Sequence, residues 1–134
     1  MMDREDILLE RFGLEPELKN LQEIRSLLIE ETNDSNTEEH EYLKTLCILL
    51  FTFGYPEDTL LIWNAKMKDF DAGCYIDGEL LMGAGLNETI HFLKELNTTL
   101  AKEILEYIEQ YKTNDDYMTR EKVIDFYSKY YRLT

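Results

Sequence analysis

The chain has few of the residues that metal, redox and nucleophilic sites use. Its 134 residues include two cysteines and two histidines. Cys47 and Cys74 form no CxxC pair, and the position four residues after His40, where an HExxH zinc motif needs a second histidine, holds Lys44. The glycines at 83 and 85 are not continued into a phosphate-binding loop, and no serine lies in a GxSxG turn. We therefore expect no cofactor and no metal, and the pattern favours a binding protein over an enzyme.

Basic residues are also scarce. Twenty-eight Asp and Glu side chains face fourteen Lys and Arg, which gives a formal net charge of −14 and a pI near 4.4. Acids outnumber bases in both halves of the chain, so the excess belongs to the whole surface. Such a field repels nucleic acids and anionic membranes and attracts basic proteins, although it also serves solubility alone. We expect a basic protein partner, no nucleic acid and no membrane.

Long apolar runs are missing as well. The longest, around residues 46–53, is far too short to span a bilayer, and the N-terminus lacks the basic start and apolar core of a secretory leader. Both cysteines lie in apolar stretches, so we expect two reduced, buried thiols. These features predict a cytoplasmic protein.

The chain is rich in helical periodicity, and no segment shows sustained period-two alternation. Length and composition fit one domain, residues 1–134, of all-α class. The short connections favour a compact multi-helix domain in which antiparallel pairs near 16–53, 56–83 and 87–111 stack as a two-layer array. The expected helices cover about 3–12, 16–32, 38–53, 56–70, 78–83, 87–96, 99–111 and 119–130.

Turn and cap residues set the expected boundaries. Gly13 should end a helix in a left-handed conformation, and Gly54 should end another helix. Ser35 with Glu38 has the spacing of a capping box. Asn87, Thr98 or Thr99, and Thr119 are the other expected caps, and residues 113–116 are an expected loop. Asp77-Gly78 allows either a tight hairpin or the start of a short helix that ends at Gly83, and the helix is preferred because no other strand pair exists.

Apolar spacing also predicts which side chains are buried. Leu18, Leu21, Ile24 and Leu28 share one stripe, and so do Leu60, Trp63, Met67 and Phe70. Six tyrosines concentrate in the last quarter of the chain. We expect the C-terminal helix to dock through Phe126, Tyr127 and Tyr130, with Tyr117 and Tyr131 exposed.

Residues 60–93 hold the only tryptophan and four of the six glycines, so a corner or a site is expected there. Metal binding and acid–base chemistry would need converging carboxylates, and Asp69, Asp71 and Asp77 lack the calcium-loop spacing. Helix capping explains such residues more simply. The residues that we single out as a candidate ligand or partner site are Trp63, Lys66, Asp69, Asp71, Asp77 and His91.

The pattern IWxAKxxxFDxxCxIDxxLLxGAGLxxT in residues 62–89 resembles a group of small, acidic, helical bacterial proteins of unassigned activity. The pattern covers about a fifth of the chain, and the resemblance implies a bacterial, cytosolic helical domain. It brings no catalytic residues. Size and charge also resemble those of immunity proteins, which neutralise toxins.

Two functions follow as hypotheses. The first is an acidic protein-binding module that captures a basic partner, such as a toxin in an immunity-like role. The alternative is a small-molecule or enzymatic pocket, with Trp63 as an apolar wall and Lys66, Asp71, Asp77 and His91 as polar groups.

Overall fold

A computed structural model describes residues 2–111 and 119–133. These residues form eight α-helices and two short 3-10 helices and contain no strand, which confirms the all-α prediction. No helix within the described ranges has both the length and the apolar character needed to cross a membrane. The α-helices are α1 Arg4–Phe12, α2 Leu21–Asn33, α3 His40–Phe53, α4 Asp58–Lys66, α5 Phe70–Tyr75, α6 Leu86–Leu96, α7 Thr99–Tyr111 and α8 Arg120–Tyr130, and the 3-10 helices are Leu18–Asn20 and Gly78–Met82.

Helix α3 lies at the centre of the fold. Every residue from position 42 to position 52 is buried, including Leu46, Cys47 and Leu49. A helix that is apolar on all sides must be covered on all sides. Helices α1, α2, α4 and α5 and the 3-10 helix Gly78–Met82 provide that cover. Each fully buried leucine contributes about 1.5–3 kcal/mol, so α3 supplies much of the apolar stabilisation.

The remaining helices pack largely with their neighbours in the chain. Helix α2 packs on α3, α4 packs on the 3-10 helix Gly78–Met82 and on α5, and α6 packs on α7, so contacts form within each of the three expected pairs. Contacts of α2 with α4 and of α3 with α5 join the first two pairs, and the 3-10 helix Gly78–Met82 joins α6 to the body.

Several cap predictions are confirmed. Gly54 ends α3 with φ 77° and ψ 22°, in the left-handed region. The Thr98 hydroxyl accepts a hydrogen bond from the Ala101 N–H at 3.0 Å, and Thr119 caps α8 in the same way. Gly13 ends α1 at φ 73°, but its ψ of 171° lies outside the left-handed helical region.

Other boundary predictions are wrong. The capping box at Ser35 and Glu38 does not form, because α3 begins at His40 and its N-cap position is Glu39, four residues after Ser35. Helix α6 begins at Leu86 after Gly85, so Asn87 lies inside its first turn and is not the cap. The first turn after Pro16 is a 3-10 helix, which leaves Leu18 exposed, whereas the other three residues of its stripe are buried. The predicted loop at 113–116 falls outside the described residues.

Asp77 and Gly78 begin a short 3-10 helix and not a hairpin, as the sequence analysis predicted. Helix α7 packs closely on this start. A Cβ atom at Gly78 would lie 2.7 Å from the Tyr111 ring and 2.9 Å from the Tyr107 hydroxyl oxygen. A side chain here would therefore have to displace these two tyrosines, whereas the φ of Gly78 is not in the left-handed region and does not itself call for glycine.

The apolar stripe predicted for α4 is only half correct. Trp63 is 5% exposed, but Met67 is 56% and Phe70 85% exposed. The prediction assumed one continuous helix. Helix α4 ends at Lys66, the backbone of Asp69 is extended, and a new helix starts at Phe70. The helical spacing therefore stops before it reaches the last two apolar residues.

The docking of α8 also needs correction. Val123 and Tyr127 are buried, as expected for Tyr127, but Phe126 and Tyr130 are about half exposed. Tyr131, which was expected to be exposed, is half-buried, and its hydroxyl oxygen lies 2.7 Å from that of Thr45. Tyr117 is not among the described residues.

Replacing Trp63 with alanine should destabilise the protein by roughly 3–5 kcal/mol, because it leaves a large cavity in the core. The matched aromatic control, Phe70→Ala, should change the free energy of unfolding by less than about 0.5 kcal/mol, since the ring is in solvent. Chemical denaturation followed by circular dichroism measures both values. Equal losses for the two variants would contradict the assigned burial.

Candidate functional site

The surface around α5 carries two neighbouring concavities. On one side of α5 lies a groove of about 590 Å³. Met67 and Phe70 supply exposed apolar side chains, and Lys66 is buried at its base. The groove is lined by Lys66, Met67, Asp69, Phe70, Gly73, Cys74 and Tyr107. We call it the α5 groove.

Lys66 connects α4 to the C-terminal end of α5. Its Nζ donates hydrogen bonds to the carbonyl oxygens of Gly73 at 2.6 Å and Ile76 at 2.5 Å. Burial lowers the pKa of Lys66, and the nearby Asp77 carboxylate opposes that shift. A cation at the carbonyl end of a helix is favourable. Lys66 therefore holds α5 in position.

Asp69 caps the other end of α5. Its carboxylate accepts a hydrogen bond from the Ala72 N–H at 2.7 Å, and the Nε2 of His40 lies 3.2 Å away. The Ala72 N–H and, less strongly, His40 lower the pKa of Asp69. The simpler sequence interpretation of this aspartate, as a helix cap, is confirmed.

None of the other four predicted site residues lines the groove. Trp63 is buried behind Tyr107, with ring centroids 5.4 Å apart. Asp71 is exposed on α5. Asp77 accepts a hydrogen bond from the Tyr127 hydroxyl. His91 lies on the exposed face of α6, where its Nε2 is 4.0 Å from Glu95.

The structure thus brings Lys66 and Asp69 together in the α5 groove, with Trp63 behind one wall. The sequence prediction omitted Phe70, Cys74 and Tyr107. It placed Phe70 and Cys74 in the core, and the exposure of Cys74 shows that this was wrong for the thiol as well. The cap interpretation of Asp69 was not applied to the helix boundaries; it would have ended the preceding helix before Asp69 and placed Phe70 at the start of a new one.

On the other side of α5 lies a cleft of about 290 Å³ in which carboxylates predominate. The N–terminal turns of α1 and α3 meet here, and Tyr75 of α5 forms one wall. Partial burial raises the pKa of Glu5, and the neighbouring Asp3, Asp6 and Glu41 raise it further. The cleft is lined by Asp3, Glu5, Glu38, Glu39, His40, Glu41, Tyr42 and Tyr75, and we call it the acidic cleft.

Tyrosine hydroxyls face carboxylates at several points near these surfaces. Tyr130 donates to Glu41 at 2.7 Å, and Tyr127 donates to Asp77. Burial, followed by the hydrogen bond to Glu41, raises the pKa of Tyr130 to about 12. The pKa of Tyr127 is raised for the same two reasons, through Asp77. These tyrosines therefore act as hydrogen-bond donors over the physiological pH range.

In residues 2–111 and 119–133, no three His, Cys, Asp or Glu side chains are placed to share a metal ion.

Comparisons with known protein families, with curated proteins and with solved structures found no match. The resemblance of residues 62–89 to small acidic bacterial proteins stays a prediction.

The two cysteines should differ sharply in reactivity. Cys74 is exposed, whereas Cys47 is fully buried and burial raises its pKa well above the usual range. Only a thiolate in contact with solvent reacts readily. We expect one thiol to be labelled in the native protein and the second only on unfolding, with the fast phase absent from Cys74→Ser. Two equally slow thiols in the native protein would contradict the exposure of Cys74.

The protein should lose stability as the pH rises above about 10, the ordinary pKa of tyrosine. Tyrosines that keep their proton when folded stabilise the fold below that pH and lose the contribution as the pH approaches their raised pKa. The lowered pKa of Lys66 acts with the opposite sign, but six tyrosines with raised pKa outnumber it. Denaturation at pH 9 to 12, with tyrosinate absorbance, measures the loss. It should be shallower in Tyr127→Phe, and a flat profile would contradict the assignment.

Proposed function

We propose that this chain is an acidic protein-binding domain that captures a basic protein partner. One observation carries the proposal: exposed apolar and aromatic side chains lie between the α5 groove and the acidic cleft. Phe70 and Tyr75, at the two ends of α5, are both exposed. Large exposed apolar groups beside charged ones are a feature of protein interaction surfaces.

The net charge of the chain indicates which kind of protein this surface binds. A net charge of −14 raises the rate of encounter with basic proteins and disfavours acidic ones. The α5 groove then offers apolar contact area next to the carboxylates of Asp69 and Asp71. A basic toxin is a partner of this kind, and under this immunity-like proposal the complex forms in the bacterial cytoplasm.

A small molecule in the α5 groove is a second candidate. A volume of about 590 Å³ falls within the range of ligand pockets. Asp69 and Tyr107 would supply its polar and aromatic contacts, with the buried Trp63 behind. Lys66 favours this function less, because its Nζ already donates to two carbonyl oxygens.

Affinity capture from bacterial lysate at low and high salt, followed by binding measurements with the purified partner, tests the first proposal. The partner should be basic, and its affinity should fall as salt increases. Failure to recover a basic partner at either salt concentration would count against capture of a basic protein. A partner protein that binds independently of salt would contradict the role of charge.

Phe70→Ser should weaken binding of that partner about tenfold, or about 1.4 kcal/mol, because it removes the most exposed apolar contact of the surface. Leu96→Ser is the matched control, since Leu96 is also an exposed apolar residue but lies at the end of α6. Isothermal titration calorimetry compares the two. Equal losses of affinity in the two variants would contradict binding of the partner at α5.

A further inference from the structure

An exposed aromatic face runs from α5 to α8. It consists of Tyr75, Phe126 and Tyr130, which are 43%, 48% and 46% exposed. The rings of Phe126 and Tyr130 are stacked, with centroids 6.5 Å apart. The Nζ of Lys44 lies 4.4 Å from the ring centroid of Tyr130 and 5.7 Å from that of Tyr75, so this lysine links the two helices.

The aromatic face borders the acidic cleft, because Tyr75 belongs to both. Some carboxylates of the cleft already have cationic partners: Glu41 lies 3.6 Å from the Nζ of Lys44, and Glu39 pairs with Arg4. Neither Glu5 nor Glu38 has a cationic partner within the described part of the chain. Part of the Tyr75 ring is already in contact, because His40 stacks on it with ring centroids 5.2 Å apart and Lys44 approaches it as well. Tyr75 is still 43% exposed, and the cleft beside it keeps two carboxylates, Glu5 and Glu38, for a cation that the partner supplies.

The wall of the cleft shows which cation suits such surroundings. The guanidinium of Arg4 lies 3.7 Å from the ring centroid of Tyr42. It also pairs with Glu31 at 3.1 Å and with Glu39. A guanidinium can lie flat on an aromatic ring while its N–H groups point in the ring plane towards carboxylates. A lysine ammonium is a compact point charge and gains less from the same surroundings.

We infer that the aromatic face receives an arginine side chain of the basic partner, in preference to a lysine, with Tyr75 as the ring and Glu5 and Glu38 as the carboxylates. Phe126 and Tyr130 extend the apolar surface along which the rest of the partner segment lies. This inference rests on the proposed capture of a basic protein and adds to it a site and a side-chain type.

Two synthetic peptides of the same length, charge and apolar content test the inference. One carries only arginine as its basic residue and the other only lysine. Fluorescence anisotropy with the full chain should show the arginine peptide binding about two- to fivefold more tightly, as expected for a cation–π contact at an exposed site. Charge alone predicts equal affinities, because both peptides have the same charge.

Variants then locate the preference. Tyr75→Leu should remove it and Tyr75→Phe should keep it, because phenylalanine retains the ring. Tyr55→Leu is the control, since Tyr55 is an exposed tyrosine outside the acidic cleft and beside Arg25.

The carboxylates of the cleft are tested by the double variant Glu5→Gln with Glu38→Gln, which should lower the affinity for both peptides. Its control is Glu88→Gln with Glu103→Gln, which removes two exposed carboxylates from α6 and α7 and should lower the affinity less. Thermal melts by circular dichroism check that each variant is folded.

The outcomes separate the two proposals. Equal affinities of the two peptides for the unchanged chain overturn the arginine site and leave the capture of a basic protein standing. A preference that survives Tyr75→Leu overturns the placement at Tyr75. If neither peptide binds at low salt, the electrostatic capture on which the proposed function rests fails as well.

Discussion

The structure depends on the complete burial of α3. A single helix that exposes apolar residues in every direction cannot be stable in water, so other helices must surround it. Helices α1, α2, α4 and α5 each contact it, although they come from different parts of the first 75 residues. The two polar ends of the region, the acidic cleft and the turn at Gly54, lie where α3 begins and ends. The central helix therefore also fixes the place at which the N-terminal turns of α1 and α3 bring their carboxylates together.

Helix α5 is the shortest of the described α-helices, and it lies between the α5 groove and the acidic cleft. It has six residues, too few for a helix to be stable in isolation. Its position is held at one end by the Asp69 cap and at the other by Lys66, which reaches across from α4. Because polar contacts at its two ends fix it, α5 can leave Phe70, Cys74 and Tyr75 in solvent. A short helix held in this way gives exposed side chains fixed positions, which lowers the entropy cost of binding.

Much of the helical order followed from the sequence, because apolar periodicity and glycine or threonine caps are local signals. The cap predicted at Ser35 was wrong because α3 begins later in the chain. The burial predicted for Met67 and Phe70 was wrong because their spacing continues that of α4, which has already ended at Lys66. Within the candidate site, Lys66 and Asp69 could be singled out from their neighbours in sequence. Tyr107 and the carboxylates of α1 could not, since only tertiary packing brings them to α5. The burial of Trp63 was predictable, and the exposure of Cys74 was not.

The attachment of α8 has a consequence for its alignment on the body. Tyr127, Tyr130 and Tyr131 each place a hydroxyl against a different polar group, on Asp77, Glu41 and Thr45. Apolar contacts alone would tolerate a shift of α8 along its axis, because one aromatic ring can replace another. The hydroxyls do not tolerate it, since a one-turn shift would leave the carboxylates facing ring carbons. The tyrosine hydroxyls thus specify a single position of α8 along its axis.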